Sequence, residues 1–142
     1  MIEYREDVTS ITADQLLGGF FEGWQLAPTP AMHLAHLRGV EVAVLAVDSE
    51  TDEVVGFATA IGDGVLTAFI PFVEVLPRYR GLGIGTELVR RVLARLATRY
   101  SIDLVCDADR AAFYERLGGV AGVAMVWRNR DAMKPPGEQP AS

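Results

Sequence analysis

A strand-like run passes into a helical one across Val75-Leu76-Pro77-Arg78-Tyr79-Arg80-Gly81-Leu82-Gly83-Ile84-Gly85-Thr86. The three alternating glycines let the backbone adopt conformations closed to other residues and let a ligand approach it closely. The helix that follows has unpaired N–H groups in its first turn, at the positive end of its dipole, which suits a phosphate. Nucleoside-triphosphate and dinucleotide loops are excluded, since there is no Gly-Lys-Ser/Thr and position 88 is leucine. The stretch predicts a phosphate-binding turn of another kind.

The segment after the glycines has the most regular helical pattern in the chain. Its apolar residues recur every three or four positions from Ile84 to Tyr100, which predicts an amphipathic helix. Asp107 or Asp109 is expected to cap a later helix that Gly118-Gly119 ends. The downstream pattern therefore predicts a buried strand, a helix, a last strand and a flexible tail, at 102–106, 109–117, 120–128 and 131–142.

Two helices and four strands are predicted upstream of the quoted stretch. One helix begins at Ser10 or Thr12, and a second runs from Thr29-Pro30 to Gly39. Apolar residues spaced for one face of the first helix are Leu16, Leu17, Phe20, Phe21 and Trp24. Strands are expected at 2–8, 41–47, 54–61 and 65–76, the last interrupted by Pro71.

Together these elements predict an α/β (α+β) fold. Their order is β-α-α-β-β-β-α-β-α-β, which gives a mixed, mostly antiparallel central sheet with helices on both faces. The three strands from 41 to 76 form an antiparallel meander around the hairpin signal Gly62-Asp63-Gly64. The 142 residues are the usual size of a single domain, and we place it at 1–130 with the tail at 131–142.

The net charge of −6 is unevenly distributed. Residues 1–74 hold twelve acids and two arginines, whereas residues 75–142 hold seven acids and eleven basic residues. A uniformly basic protein would indicate nucleic acid, which this pattern does not favour. An arginine patch beside the glycines favours a small polyanionic cofactor, and the acidic half favours a cationic partner. The competing interpretation is that Arg90, Arg91, Arg95 and Arg99 form a solvated helix face.

Neither export nor membrane insertion is expected. No apolar stretch approaches the roughly 20 residues that span a bilayer, and the first residues lack the layout of a signal peptide. The single cysteine, Cys106, excludes an internal disulfide and is expected to be a buried strand residue. His33 and His36 share a helix face with no third ligand in view, so no metal site is expected. We predict a cytoplasmic protein.

Two motifs carry a family resemblance. The run Val75-x-Pro77-x-x-Arg80-Gly81-x-Gly83-Ile84-Gly85-x-x-Leu88 resembles the coenzyme A motif of the GNAT superfamily of N-acetyltransferases, whose core is Gln/Arg-x-x-Gly-x-Gly/Ala. Farther on, Phe113-Tyr114-Glu115-Arg116-Leu117-Gly118 is similar to that family's second signature, although Gly119 replaces the usual aromatic residue. The order of elements matches the family over about residues 2–130.

The resemblance implies direct acetyl transfer from acetyl-coenzyme A to a primary amine. On the donor side it implies that backbone amides of Gly81, Leu82, Gly83, Ile84, Gly85 and Thr86 bind the pyrophosphate with support from Arg80. Backbone groups at Val75 and Leu76 would pair with the pantetheine arm, on a strand that splays from its neighbour. Asp107 stands where many relatives carry an asparagine that touches the pantetheine, and it also suits a helix cap.

Two residues are candidates for the chemistry. Tyr114 occupies the position of the general acid in many relatives, and a tyrosine hydroxyl can supply a proton to a departing thiolate. A core tyrosine on an amphipathic helix is the competing interpretation. Glu74 is the one ionisable group in an apolar run, where burial would raise its pKa toward the range of a useful base. Its alternative is a carboxylate that faces solvent or pairs with an arginine.

The sequence identifies the acceptor substrate less closely than it identifies the acetyl donor. Phe20, Phe21 and Trp24 lie in the region that walls the acceptor pocket in relatives, and they are also spaced as core residues. A small cationic molecule or a peptide amine is expected. The alternatives are a protein N-terminal or lysine acetyltransferase and a non-catalytic coenzyme A sensor. Only one strand follows the last helix, so either the sheet ends early or a second copy completes it, and we predict a homodimer.

Overall fold

The computed structural model describes residues 1–134 and 136–138. The six strands are β1 (Ile2–Arg5), β2 (Val42–Asp48), β3 (Glu53–Gly62), β4 (Thr67–Phe69), β5 (Val73–Val75) and β6 (Ser101–Asp103). The helices are α1 (Pro30–Gly39), α2 (Ile84–Arg95) and α3 (Ala111–Glu115). Single 3₁₀ turns lie at Ala13–Leu16, Pro77–Tyr79, Ala108–Arg110, Arg130–Met133 and Pro136–Glu138. None of the helices described is long and apolar enough to cross a membrane.

All six strands belong to one mixed sheet. Its order is β1-β2-β3-β4-β6, and β5 pairs with β3 beside this path. Every pairing is antiparallel except that of β4 with β6. The expected third strand at 65–76 is divided into β4 and β5, which flank Pro71, a residue that cannot donate to a ladder. The predicted fold class is confirmed.

Both faces of the sheet are covered by helices. Strand residues alternate between the faces, so Val44 and Ala46 join a core with Leu88 and Val92 of α2. Their neighbours Leu45 and Val47 join a second core, with Leu37 of α1. This two-sided burial explains why β2 is a continuous apolar run rather than an alternating one.

The helix predicted from Ser10 or Thr12 through Trp24 is wrong beyond one turn. The start is correct, because Thr12 and Gln15 form a capping box on the 3₁₀ turn Ala13–Leu16. The chain then leaves helical geometry, with positive φ at Gly19, Phe21 and Gly23. Glycine weakens a helix by about 1 kcal/mol relative to alanine. Phe20 and Phe21 reach the core from an irregular segment instead, whereas Leu17 and Trp24 are exposed.

The strand predicted at 120–128 is also absent. These residues form no ladder, and side chains such as Val120 (95% exposed) and Val123 (91% exposed) face outward. The segment has the apolar composition of a strand, but a strand also needs the edge of a neighbouring strand with which to pair. Of the expected tail, Arg130–Met133 and Pro136–Glu138 form 3₁₀ turns, whereas Pro135 and residues 139–142 lie outside the described residues.

Many charges of the two halves neutralise each other in ion pairs within the chain. Four arginines of the second half pair with acids of the first half, in the pairs Arg78–Glu53, Arg80–Glu22, Arg95–Glu6 and Arg99–Glu41. Arg91 instead pairs with Glu87 and lies over the Tyr4 ring. The expected solvated face at 90–99 is therefore partly an interface between the two halves. The charge pattern by itself no longer argues for a cationic partner.

His33 gives a testable consequence of this packing. Its ring is buried against Phe20, Phe21 and Phe57, and its Nε2 has no hydrogen-bond partner. Burial, together with the smaller effect of the neighbouring His36, lowers the pKa of His33 to about 4. Because the folded-state pKa lies below the unfolded value, protonation favours unfolding. The contribution of His33 to the free energy of unfolding is fully present above about pH 6.5 and is lost as the pH drops toward 4.

We expect the wild-type chain to lose about 2 kcal/mol of unfolding free energy between roughly pH 7 and pH 5 through this group. His33→Phe keeps an aromatic ring in the same site and should lose correspondingly less over that interval. Urea unfolding at the two pH values measures both losses. Equal losses in the two proteins would contradict the assignment to His33.

Candidate active site

A cleft opens where the sheet splits. β4 and β6 stay paired up to the hydrogen bond from the Ile70 N–H to the Asp103 carbonyl oxygen at 2.9 Å. Beyond this bond the two segments separate. On one side, β5 continues along β3, and on the other side the chain runs on through residues 104–107. The resulting cleft has a volume of about 1220 Å³ and is lined on its two sides by 69–75 and 104–107. This volume exceeds that of typical small-ligand pockets.

The glycine turn closes one end of the cleft. Arg80, Gly81, Gly83, Ile84, Gly85 and Thr86 all line it. Gly81 and Gly83 have φ of 79° and 83°, a region that favours glycine, and α2 begins directly after Gly83. No protein acceptor among the described residues takes the N–H groups of Gly81, Leu82 or Gly83. These amides and the first turn of α2 therefore form an anion-binding concavity.

Arg80 connects this turn to the rest of the cleft. Its Nε donates to the carbonyl oxygen of Val75 at 3.2 Å, and its Nη2 contacts Glu22 at 3.2 Å. Val75 lines the cleft, whereas Leu76 is buried in the core and Leu82 faces solvent. The Leu76 N–H donates to the Val55 carbonyl oxygen at 2.8 Å, and the Leu76 carbonyl oxygen accepts from the Tyr79 N–H at 2.9 Å, so both backbone groups of Leu76 have partners within the chain. Of the three side chains, only that of Val75 faces the cleft.

Glu74 lies in the wall of the cleft with one oxygen free. Its Oε1 accepts a hydrogen bond from the Phe21 N–H at 3.0 Å, and its buried Oε2 has no partner. Burial raises the pKa of Glu74, opposed by the Phe21 N–H and by the charges of Arg80 and Arg110. A partly buried carboxylate with one free oxygen can accept a proton or hold a cation.

Tyr114 lies across the cleft on α3. Burial raises the pKa of its hydroxyl, Cys106 raises it further, and Arg110 lowers it. The hydroxyl is thus protonated at neutral pH and able to donate. Cys106, expected to be a buried strand residue, is exposed and lies in the cleft beyond the end of β6. That prediction is wrong because the strand stops at Asp103, where the sheet splits.

Asp107 also lines the cleft, at the capping position of the 3₁₀ turn Ala108–Arg110. Its backbone oxygen accepts from Arg110 N–H at 2.9 Å, but its side chain makes no capping bond. Asp107 thus holds the position of a cap without a capping side chain, and its role toward the pantetheine stays a prediction.

The three predicted acceptor residues divide between the cleft and the core. Trp24 lines the cleft, with 46% of its surface exposed. Phe21 is buried, and its ring lies 5.3 Å from that of Trp24 and 5.6 Å from that of Phe72. Phe20 packs between the two cores against Phe57. Phe20 and Phe21 thus support the wall that Trp24 presents.

Several cleft residues were missed from the sequence. Phe72 lies two positions from Glu74, and this period-two spacing was a usable signal. Arg110 had none, because it resembled an ordinary surface residue of a helix. The structure brings it into the cleft beside Glu74 and Tyr114, without an ion pair in the described part of the chain. Met125, Val126, Trp127 and Arg128 also line the cleft, from the segment predicted to be a strand.

Comparison with known proteins identifies similar chains. The family model described as "Acetyltransferase (GNAT) family" matches residues 9–119. The N-acetyltransferase ycf52 of the alga Pyropia yezoensis is 29% identical over 118 residues, which are 76% of this chain and 66% of that protein. A ycf52-like protein of Prochlorococcus marinus is 32% identical over 111 residues, which are 76% of this chain and 61% of that protein. The chain thus spans less than two thirds of each relative's length.

A solved structure agrees with the fold over nearly the whole chain. A protein of Deinococcus radiodurans R1 assigned as an acetyltransferase is 43% identical, with a TM-score of 0.89. The match covers 93% of this chain and 91% of that one. A GNAT-family acetyltransferase of Streptococcus pneumoniae is 27% identical with a TM-score of 0.74. The overall fold is therefore shared with solved acetyltransferases.

Proposed function

Because the chain belongs to the GNAT family of acetyltransferases, we propose that it moves an acetyl group from acetyl-coenzyme A directly to a primary amine within a ternary complex. One observation carries the proposal: a single cleft is lined by the anion-binding glycine turn, by Glu74 and by Tyr114. The turn suits a polyanionic donor, and the other two groups suit the proton transfers that amide formation requires.

The residues present fit coenzyme A as the donor. Free amides at 81–83 and the first turn of α2 would hold the pyrophosphate, with Arg80 beside them. The Val75 backbone would pair with the pantetheine arm, and the Leu76 carbonyl oxygen, which already accepts from Tyr79, would use its second lone pair. Asp107 would approach the arm from the opposite wall. Bound there, the cosubstrate supplies the activated acetyl thioester.

The protein's own groups would manage the protons. The Glu74 carboxylate takes a proton from the amine, directly or through a water, because only a neutral amine attacks a carbonyl. Tyr114 donates its proton to the departing thiolate, for which burial keeps the hydroxyl protonated. Partial burial of both groups strengthens these charge effects relative to bulk water.

For the acceptor we propose the amine of a small cationic molecule or of a peptide. The Glu74 carboxylate can attract an ammonium group, and the Trp24 ring offers it a cation–π surface. The exposed rings of Trp24 and Trp127 at the cleft favour a protein N-terminal or lysine amine as the second candidate. We also propose a cytoplasmic homodimer. The lone exposed thiol of Cys106 fits a reducing compartment.

An amine panel read by thiol release tests this function. The panel pairs acetyl-coenzyme A with polyamines, aminoglycosides and peptides that carry a free N-terminal or lysine amine. Acetylation of at least one class is expected, and the class that reacts identifies the acceptor. Tight coenzyme A binding without thiol release from any amine would instead support a non-catalytic sensor.

The glycine turn gives a direct test of the donor site. Gly83→Ala adds a methyl group at positive φ in the proposed pyrophosphate site, and we expect coenzyme A affinity to fall about tenfold or more, roughly 1.4 kcal/mol. Gly64→Ala is a matched control, since Gly64 has φ of 81° and similarly open surroundings in a hairpin outside the cleft. Calorimetric titration measures both affinities.

Both alanine variants carry a similar backbone strain, so their melting temperatures should fall together. Only Gly83→Ala should lose affinity for coenzyme A. A parallel loss of affinity in both variants would attribute the effect to stability and would remove the support for the proposed donor site.

A further inference from the structure

The charged side chains that line the cleft are balanced in sign. Three are acids and three are arginines, namely Glu22, Glu74, Asp107, Arg80, Arg110 and Arg128. Glu22 and Arg80 pair with each other at 3.2 Å, whereas the other four form no ion pair in the described part of the chain. The cleft therefore offers both signs of charge to a ligand, without the surplus of negative charge that would select a polycation.

Arg110 lies on the same side of its helical segment as the proposed proton donor. Asp107, Arg110 and Tyr114 all line the cleft, at spacings of three and four residues that share one helix face. The Arg110 N–H donates to the Asp107 carbonyl oxygen at 2.9 Å, which fixes the turn from which the side chain starts. The guanidinium is therefore presented to the part of the cleft in which the acetyl group would be transferred.

Glu74 and Arg110 are close enough to affect each other but do not pair. Burial raises the pKa of Glu74 and of Tyr114, and the positive charge of Arg110 opposes both shifts. Nevertheless, among the described residues the Arg110 side chain makes no hydrogen bond and no ion pair. The Glu74 carboxylate is held by the Phe21 N–H instead. A carboxylate and a guanidinium that line one cleft without contact can each bind the oppositely charged group of one ligand.

We propose that the acceptor carries an anionic group, a carboxylate or a phosphate, a few bonds from its primary amine, and that Arg110 binds this group while Glu74 receives the amine. The proposal rests on the acetyl transfer proposed above and narrows its acceptors from cationic molecules to zwitterionic ones. A guanidinium has a planar fork of donors that matches both carboxylate and phosphate. Trp24, Phe72 and Trp127 line the same cleft and favour an additional apolar group. An amino acid with a large apolar side chain has all three features.

Matched pairs of amines test the acceptor class. L-phenylalanine is compared with phenethylamine, L-leucine with isopentylamine, and O-phosphoethanolamine with ethanolamine, so that the members of each pair differ in the anionic group. We expect kcat/KM for acetylation to favour the anionic member of at least one pair by about 10- to 100-fold, as for a hydrogen bond to a charged group. The pair that shows this preference distinguishes a carboxylate from a phosphate.

Substitutions of Arg110 assign the preference to this residue. In Arg110→Gln the preference should disappear through a higher KM for the anionic member, whereas the uncharged member should react as it does with the wild type. Arg110→Lys keeps the charge without the fork and should restore the preference in part. Arg116→Gln makes the same change as Arg110→Gln at an exposed arginine outside the cleft, and it should leave both members unaffected.

Three results would overturn the proposal. One is the absence of any preference for the anionic member across the three pairs. Another is an equal loss for both members of a pair in Arg110→Gln, which would place Arg110 at the departing thiolate. The third is a loss of coenzyme A affinity in Arg110→Gln, which would place it in the donor site.

A binding measurement keeps this test separate from that of acetyl transfer. If no amine is acetylated, the proposed transfer fails, but each pair can still be titrated by calorimetry into protein saturated with coenzyme A. The anionic member of at least one pair should then bind about tenfold or more tightly to the wild type than its uncharged counterpart, and not to Arg110→Gln. Equal binding within every pair would contradict the assignment of Arg110 to the acceptor.

Discussion

Tyr114→Phe is expected to lower kcat by about 10²- to 10⁴-fold, or roughly 3 to 5 kcal/mol in the activation barrier. The substitution removes one hydroxyl and retains the ring that packs against Phe113. Affinity for coenzyme A should be unchanged, because the glycine turn is untouched. Thiol release under saturating substrates measures the effect.

Tyr100→Phe provides the matched control. Tyr100 is 91% exposed and lies outside the cleft, so the same chemical change there should leave turnover at the wild-type rate. Unaltered turnover in Tyr114→Phe would remove Tyr114 from the mechanism. The proton for the departing thiolate would then have to come from another group or from water.

Glu74→Gln is expected to lower kcat/KM by about 10²-fold. A glutamine retains an oxygen that can accept the Phe21 N–H, so the loop stays in place and only the charge and basicity are lost. Glu74→Ala loses both, and should add a structural defect visible as a lower melting temperature. Glu50→Gln, in an exposed turn, is the distant control and should leave kcat/KM unchanged.

The pH dependence of kcat/KM separates these effects. Glu74 must be deprotonated to act, and burial raises its pKa, so activity should rise with pH through a limb above the ordinary range of a glutamate. The acceptor amine contributes a second rise at higher pH. In Glu74→Gln the lower limb should vanish and the amine limb remain. A lower limb that persists would show that another group is the base.

The sequence predicted best what depends on local pattern. The glycine turn and α2 were correct because unpaired helix amides and apolar periodicity are properties of neighbouring residues. The first helix was wrong because its apolar spacing was equally compatible with an irregular segment, and the glycines favoured the latter. Cys106 was misplaced because the end of β6 is set by where the sheet splits, which no local signal marks.

The candidate site was predictable to a similar degree. Val75, Glu74 and Tyr114 were found because motifs and an isolated charge identify them. Arg110 and Trp127 were missed because they reach the cleft from separate segments whose positions depend on long-range packing. The strand expected at 120–128 had suitable residues, but strand formation depends on a partner edge that lies outside the local sequence.

The hydrogen bond from the Phe21 amide to Glu74 ties a loop to a strand. The loop from Leu17 to Thr29 has few backbone bonds of its own, and it carries Glu22 and Trp24 into the cleft. Segments of this kind tolerate substitution better than the sheet does. Over evolutionary time, substitutions in the loop can therefore change which acceptor the cleft binds. The Glu74 carboxylate meanwhile holds the loop in place beside the proposed coenzyme A site, which need not change.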